Sequence, residues 1–187
     1  MKIFRLILSD GPTSAPFNQF TNGFKNKIEQ VVFTFSSTNK NLNTPSLEFY
    51  NGSGSILRSI KIIKSVITSN DLKAIHIHSG HLGLILLISL LPTNVKYFKI
   101  IIFTFHTSWH LLKFRNKCLV FLTFLISKRI IPCSRSSFSS LPYFVKYFFK
   151  DKINIIQNGF NSESIRSKSI NKSNYLFKKQ NALKIVS

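Results

Sequence analysis

A chain of 187 residues is long enough for one α/β domain with a short extension and too short for two full Rossmann-like domains. Its content of 44% hydrophobic and 13% aromatic residues excludes a wholly disordered chain. The formal net charge of +20 favours phosphates, anionic lipid headgroups or nucleic acid as partners, although the abundance of Lys, Asn, Ile and Phe leaves a merely solvated basic surface equally open.

Residues 2–8 form a short β-branched and aliphatic run that stops at Ser9-Asp10-Gly11-Pro12, so a strand followed by a loop is expected. Arg5 and that turn interrupt the apolar start before a signal-peptide core can form. A second strand is predicted over 31–35, followed by a polar, turn-rich stretch over 36–45; residues 46–55 receive no assignment. Ile56, Ile60, Ile63 and Ile67 recur at helical spacing with Arg58, Lys61 and Lys64 between them, and Ser53 or Ser55 is the expected cap.

Strand 73–78 then leads through Ser79-Gly80 into a helix that Pro92 ends, and 100–105 is the continuous apolar run of a strand covered on both faces. Residues 115–127 read as a helix apolar nearly all round and therefore buried, 129–132 as a short strand, and Ser134 or Ser136 as the cap of another helix. Pro142 must kink that helix or mark a second start. Residues 153–156 are the last expected strand, closed by Asn158-Gly159. The Ser-, Lys- and Asn-rich stretch from 161 reads as a linker, and 182–187 as the opening of a new strand.

Repeated strand-helix alternation implies an α/β, Rossmann-like, doubly wound parallel sheet, with ligands beyond the carboxyl ends of its strands. The apolar runs 82–91 and 119–126 fall short of the roughly 20 residues that span a bilayer, and read as buried helices. Cys118 and Cys133 are a poor disulfide framework, so reduced thiols and a cytoplasmic location, peripheral at most to the inner face of a membrane, are expected.

The succession "IHIHSGHLG" at 75–83, "TFHTSWH" at 104–110, "KRIIPCSRSS" at 128–137 and "INIIQNGF" at 153–160 resembles the N-terminal domain of family 4 glycosyltransferases. The first loop departs from that pattern, with Gly11-Pro12-Thr13-Ser14 where many relatives carry a pair of glycines. The resemblance implies a GT-B enzyme whose first domain, here 1–160, binds acceptor, while a second holds most of the nucleotide-sugar donor; 161–187 would be the linker and first strand of that second domain. It also implies that no catalytic metal or other cofactor is needed, the nucleotide sugar being a co-substrate. The donor-gripping glutamates of the second domain have no counterpart, since Glu163 is the last acid, so the chain is expected to be inactive alone, either a truncated product or one half of a split enzyme with a separate donor-binding subunit.

By that resemblance His106 lies at the donor sugar and close to the acceptor, where an imidazole can donate to a hydroxyl or share a proton; a strand-end histidine bonded to a carbonyl is the alternative. Thr107, Trp109 and His110 are expected at the acceptor pocket, although Trp109 reads more readily as simple core. The loop N–H groups of Gly11, Pro12, Thr13 and Ser14, proline contributing only its fixed turn, are candidates for the diphosphate, and His81 for the rim of the cleft. Ser134 and Arg135 could hold an anion or form an ordinary helix cap, and Asn158-Gly159 a close backbone approach or a plain turn. A metal site at His76, His78 and His81 is the lesser reading beside packed strand histidines. The expected partners are thus a glycan or lipid-linked acceptor and an anionic membrane surface. A non-catalytic basic binding module for membrane or nucleic acid is the competing class, with the nucleic-acid version disfavoured because neither an aromatic RNA-binding motif nor a helix-turn-helix is visible.

Overall fold

A computed structural model describes residues 1–9, 28–36, 47–91 and 95–157. Six strands, β1 (Lys2–Ile7), β2 (Glu29–Thr34), β3 (Leu47–Asn51), β4 (Ala74–Ile77), β5 (Ile101–Phe105) and β6 (Arg129–Pro132), form one sheet in the order β3-β2-β1-β4-β5-β6. Every neighbouring pair is parallel. The order reverses between β1 and β4, which is the doubly wound arrangement and opens a crevice at the carboxyl ends of those two strands.

The sequence period explains the two faces. Phe4, Leu6, Val31, Phe33, Ile75, Ile77, Ile101, Phe103, Phe105 and Ile130 alternate onto one face and form the main core with three crossover helices. Helix α1 (Ile56–Ser69) contributes Ile63, Val66 and Ile67, and Ile60 packs partly buried beside them. Ser55 caps it, its hydroxyl accepting from the Arg58 N–H, whereas Ser53 sits one turn earlier at positive φ. Ile56, although in phase with the apolar stripe, projects from the first turn and is exposed.

Helix α2 (Gly80–Leu90) packs closely on α3 (Phe114–Ile126) because two glycines leave room. A Cβ on Gly83 would meet the Thr123 side chain at 2.0 Å, and one on Gly80 the Val120 backbone nitrogen at 3.0 Å. Beyond β6, α4 (Arg135–Ser139) is capped by Ser134, and Pro142 starts a second helix, α5 (Tyr143–Phe148), rather than kinking the first.

Three expectations change. The unassigned stretch contains edge strand β3, paired with β2 and followed by a turn in which the Asn51 carbonyl side chain accepts from the Ser53 N–H. Residues 153–156 lie alongside β6, with Asn154 N–H donating to Ile130 and Ile156 N–H to Pro132, but only Ile153 completes a bridge and no full strand forms. Helix α3 is not buried all round: Val120, Thr123 and Phe124 face the sheet, while Phe114, Leu122 and Leu125 face outward and stay exposed, because the helix packs on one side only. No described helix is long and apolar enough to cross a membrane. The expected linker and closing strand over 161–187 lie outside the described residues.

Candidate functional site at the carboxyl edge of the sheet

Parallel strands bring the ends of β4 and β5 to one edge, and a cavity of about 250 Å³ opens there between the N-terminal turns of α2 and α3. It is lined by Leu8, His78, Ser79, Gly80, His81, His106, Thr107 and Asn116 among others. Of the sequence-predicted site residues, His81, His106 and Thr107 therefore share one cavity. Gly11, Pro12, Thr13, Ser14, Asn158 and Gly159 lie outside the described residues.

The alternation that buries Phe103 and Phe105 on the core face sends Thr104 and His106 to the other, and likewise His76 and His78 from β4. His76 Nε2 lies 2.6 Å from the Thr104 hydroxyl, and His78 Nδ1 lies 3.1 Å from His106 Nε2. The rings of His78 and His106 are stacked, with centroids 5.4 Å apart and planes 11° from parallel. His76 and His78 approach still closer, at 4.1 Å. Arg5, wholly buried in β1, registers beside His76 and donates to the Gln30 side chain at 3.2 Å.

Burial lowers every titratable group of the row, leaving Arg5 charged and the imidazoles neutral near pH 7. It lowers the Arg5 guanidinium to about 9. It lowers His76 to about 3, assisted by the charges of Arg5 and His106, and puts His78 well below its usual value, with His76, Arg5 and His106 adding to the effect. His106 is lowered by burial alone. All three are therefore neutral imidazoles near pH 7, and the contact between His78 and His106 is a hydrogen bond between neutral rings.

Its direction follows from the far side of His78. The Nε2 of that ring is buried with no partner among the described residues. A buried N–H left without an acceptor is rarer and costlier than an unused lone pair. The proton on His78 is thus assigned to Nδ1, which donates to His106 Nε2, and His106 must carry its own proton on Nδ1. His106 is itself solvent-exposed at the cavity. What it offers a ligand is an oriented N–H donor.

The remaining candidates separate. Trp109 is buried in the main core at the start of a short 3-10 turn (Trp109–Leu111), and its backbone N–H donates to the Ser140 hydroxyl at 2.9 Å. Thr107 is fixed by its carbonyl, which accepts from the Ser137 hydroxyl at 3.2 Å. His110 is exposed and does not line the cavity. Ser134 spends its hydroxyl on the Ser137 N–H, an ordinary cap, and Arg135 is exposed on a five-residue helix. His76, His78 and His81 do not form a metal-ligating cluster among the described residues. Sequence reasoning missed His78 as the partner of His106, and missed Ser137 and Ser140 as anchors of the loop after β5; pairing across strands and loops leaves no local pattern to read.

No protein-family model matches the sequence, and no curated protein matches it. Solved structures do. Anabaena HepE in complex with UDP and glucose matches at a TM-score of 0.59 and 16% identity, over 86% of this chain and 45% of that one. The fold is the α/β, Rossmann-like parallel sheet that these structures share. The UDP-GlcNAc 2-epimerase of Neisseria meningitidis bound to UDP-GlcNAc matches at 0.60 and 12% identity, over 92% and 52%. The lipopolysaccharide outer core galactosyltransferase WaaB matches at 0.57 and 11%, over 86% and 46%. This chain spans about half the length of the structures it matches.

Proposed function

We propose that this chain supplies the acceptor-side domain of a GT-B glycosyltransferase of the family 4 type, in which transfer also requires a donor-binding domain. The observation that carries the reading is His106, held by His78 at the carboxyl edge of β5 and lining the cavity. Glycosyl transfer builds positive charge on the sugar ring and negative charge on the departing diphosphate, so oriented dipoles at the cleft lower the barrier. His106 Nδ1–H donates to a hydroxyl of the bound sugar. The first turn of α2, whose cap residue Ser79 makes no side-chain cap bond, aims N–H groups at the same cavity and suits an anionic group. A glycan or lipid-linked acceptor and a nucleotide-sugar co-substrate are the ligands this reading requires, and no step in it calls for a metal.

Because UDP-GlcNAc 2-epimerases share the fold, epimerisation of a nucleotide sugar is the second reading. The test follows histidine ring signals of the labelled chain by nuclear magnetic resonance while simple glycosides and UDP-sugars are added. Glycosides are expected to shift His106 and His78 together, with no turnover of UDP-sugar by the isolated chain. Ring signals indifferent to every sugar would overturn the assignment, and release of an epimer that His106→Ala abolishes would replace transfer with epimerisation.

A further inference from the structure

The outward side of α3 and α5 is unlike the rest of the described surface. Leu111, Phe114, Tyr143, Phe144, Tyr147 and Phe148 are each between 60% and 82% exposed. Monomeric proteins rarely leave so many large apolar side chains together in water, and a cluster of this kind marks a contact surface. Within it lies an open groove of about 580 Å³, walled by Trp109, Phe114, Phe121, Leu122 and Phe144 with Lys117 at its rim.

Charge identifies the occupant. Between residues 113 and 152 the chain carries nine Lys and Arg and a single acid, Asp151. Several of those lysines lie among the aromatics: Lys150 Nζ is 5.7 Å from the Tyr147 ring centre, Lys146 Nζ is 5.2 Å from that of Phe138, and Lys152 Nζ is 5.7 Å from that of Phe149. The Tyr143 and Tyr147 rings stack side by side with centroids 6.4 Å apart. A second copy of the chain would have to bring this basic rim against itself, which like charge opposes. A donor-binding half would face the groove at the carboxyl edge, yet this surface descends from Phe114, at the start of α3, to the far end of that helix, where Lys152 Nζ donates to the Leu125 carbonyl.

We propose that the α3–α5 face docks on an anionic lipid bilayer, its phenylalanines entering the boundary between headgroups and acyl chains. The tyrosines sit at headgroup level, where their rings are apolar and their hydroxyls wet, and the lysines meet lipid phosphates. Such a surface lies on the membrane and does not span it. It would hold the acceptor cavity close to lipid-borne substrates, but the docking itself is independent of what that cavity does.

The test is flotation of the full chain with phosphatidylcholine vesicles prepared with and without phosphatidylglycerol. Binding is expected only to the anionic vesicles and is expected to weaken with salt. The double variant F144S/F148S, altering side chains that are 60% and 67% exposed, should lower partitioning by about tenfold or more. The charge variant K146A/K150A should lower it by about 25-fold, roughly fivefold for each lysine near an anionic surface. Circular dichroism identical to that of the parent chain shows that both variants are folded. Leu57→Ser, at an exposed position on α1, and His106→Ala, in the cavity, should leave partitioning unchanged. The proposal is overturned if wild-type chain binds neither vesicle, if F144S/F148S binds as well as the parent, or if the chain sediments as a dimer that F144S/F148S dissolves.

Discussion

The two faces of the sheet follow different rules. On one, phenylalanine and aliphatic side chains meet three helices and form the main core, with Phe124 touching the rings of Phe103, Phe105 and Phe149 at centroid distances between 5.5 and 5.9 Å. On the other, Arg5, Gln30, Thr34 and Thr104 are buried and run beside His76 toward His78 and His106. The first face gains stability from apolar area, which does not depend on direction. The second buries polar groups whose hydrogen bonds depend on direction and on which ring nitrogen carries the proton, so its geometry is specified more narrowly and its protonation is part of its structure. That contrast separates what folds the domain from what equips it.

Truncating the apolar face should cost most. Phe124→Ala removes a wholly buried ring at the meeting point of β5, α3 and the end of α5, and is expected to lower unfolding free energy by about 3–5 kcal/mol in urea titrations. A loss below about 1 kcal/mol would mean that the core collapses into the space and that the face is less tightly packed than its ring contacts indicate.

Next comes Gly83→Ala. The new methyl collides with Thr123, and the α2–α3 contact must open, at an expected cost of about 1–3 kcal/mol. The companion Thr123→Ala, which removes the hydroxyl and the methyl that the new Cβ meets, should recover part of that loss in the Gly83→Ala background; failure to do so would place the strain elsewhere.

The polar face should reveal itself through pH. His76 is lowered from 6.5 to about 3, so the unfolded chain binds the more protons between those values. Its contribution is complete above about pH 6.5 and is lost as the pH falls toward 3, up to about 2 kcal/mol at pH 5. Thermal unfolding measured from pH 8 down to pH 5 should show this decline, and His76→Gln, which cannot titrate, should make it shallower while His78 and His106 keep their share. An unchanged slope in the variant would assign the pH dependence to other groups.

The smallest effect on stability, and the most specific one, belongs to His78→Gln. It is expected to cost about 1 kcal/mol, the net value of one hydrogen bond, while exchanging the tautomer seen in the His106 ring nitrogen signals. A His106 spectrum indifferent to residue 78 would sever the pair on which the site rests.

These faces differed equally in how readily they could be read from the residues. The apolar runs at 31–35 and 100–105, and the strand at 73–78, announce themselves because strands covered on both sides carry few polar residues. β3 does not, since an edge strand with a half-wet sequence, Leu-Glu-Phe-Tyr-Asn, alternates too weakly to distinguish itself from its turns. The outward apolar side of α3 reads as buried in the sequence because composition reports what a helix is made of and not what lies against it. In the site, the family resemblance singles out His106; that His78 stands beside it depends on β4 pairing in register with β5, a fact about distant parts of the chain.

The loop after β5 is fastened twice, by Ser137 to the Thr107 carbonyl and by Ser140 to the Trp109 amide. A segment tied in this way is no independent flap. Solvent reaches the Trp109 amide only when α4 lifts, so its hydrogen-exchange lifetime reports on the helix beyond β6 rather than on the loop that contains it. Any ligand that reshapes the cavity through Thr107 must therefore pull on two consecutive strand-helix units at once, and the cavity wall inherits the stiffness of both.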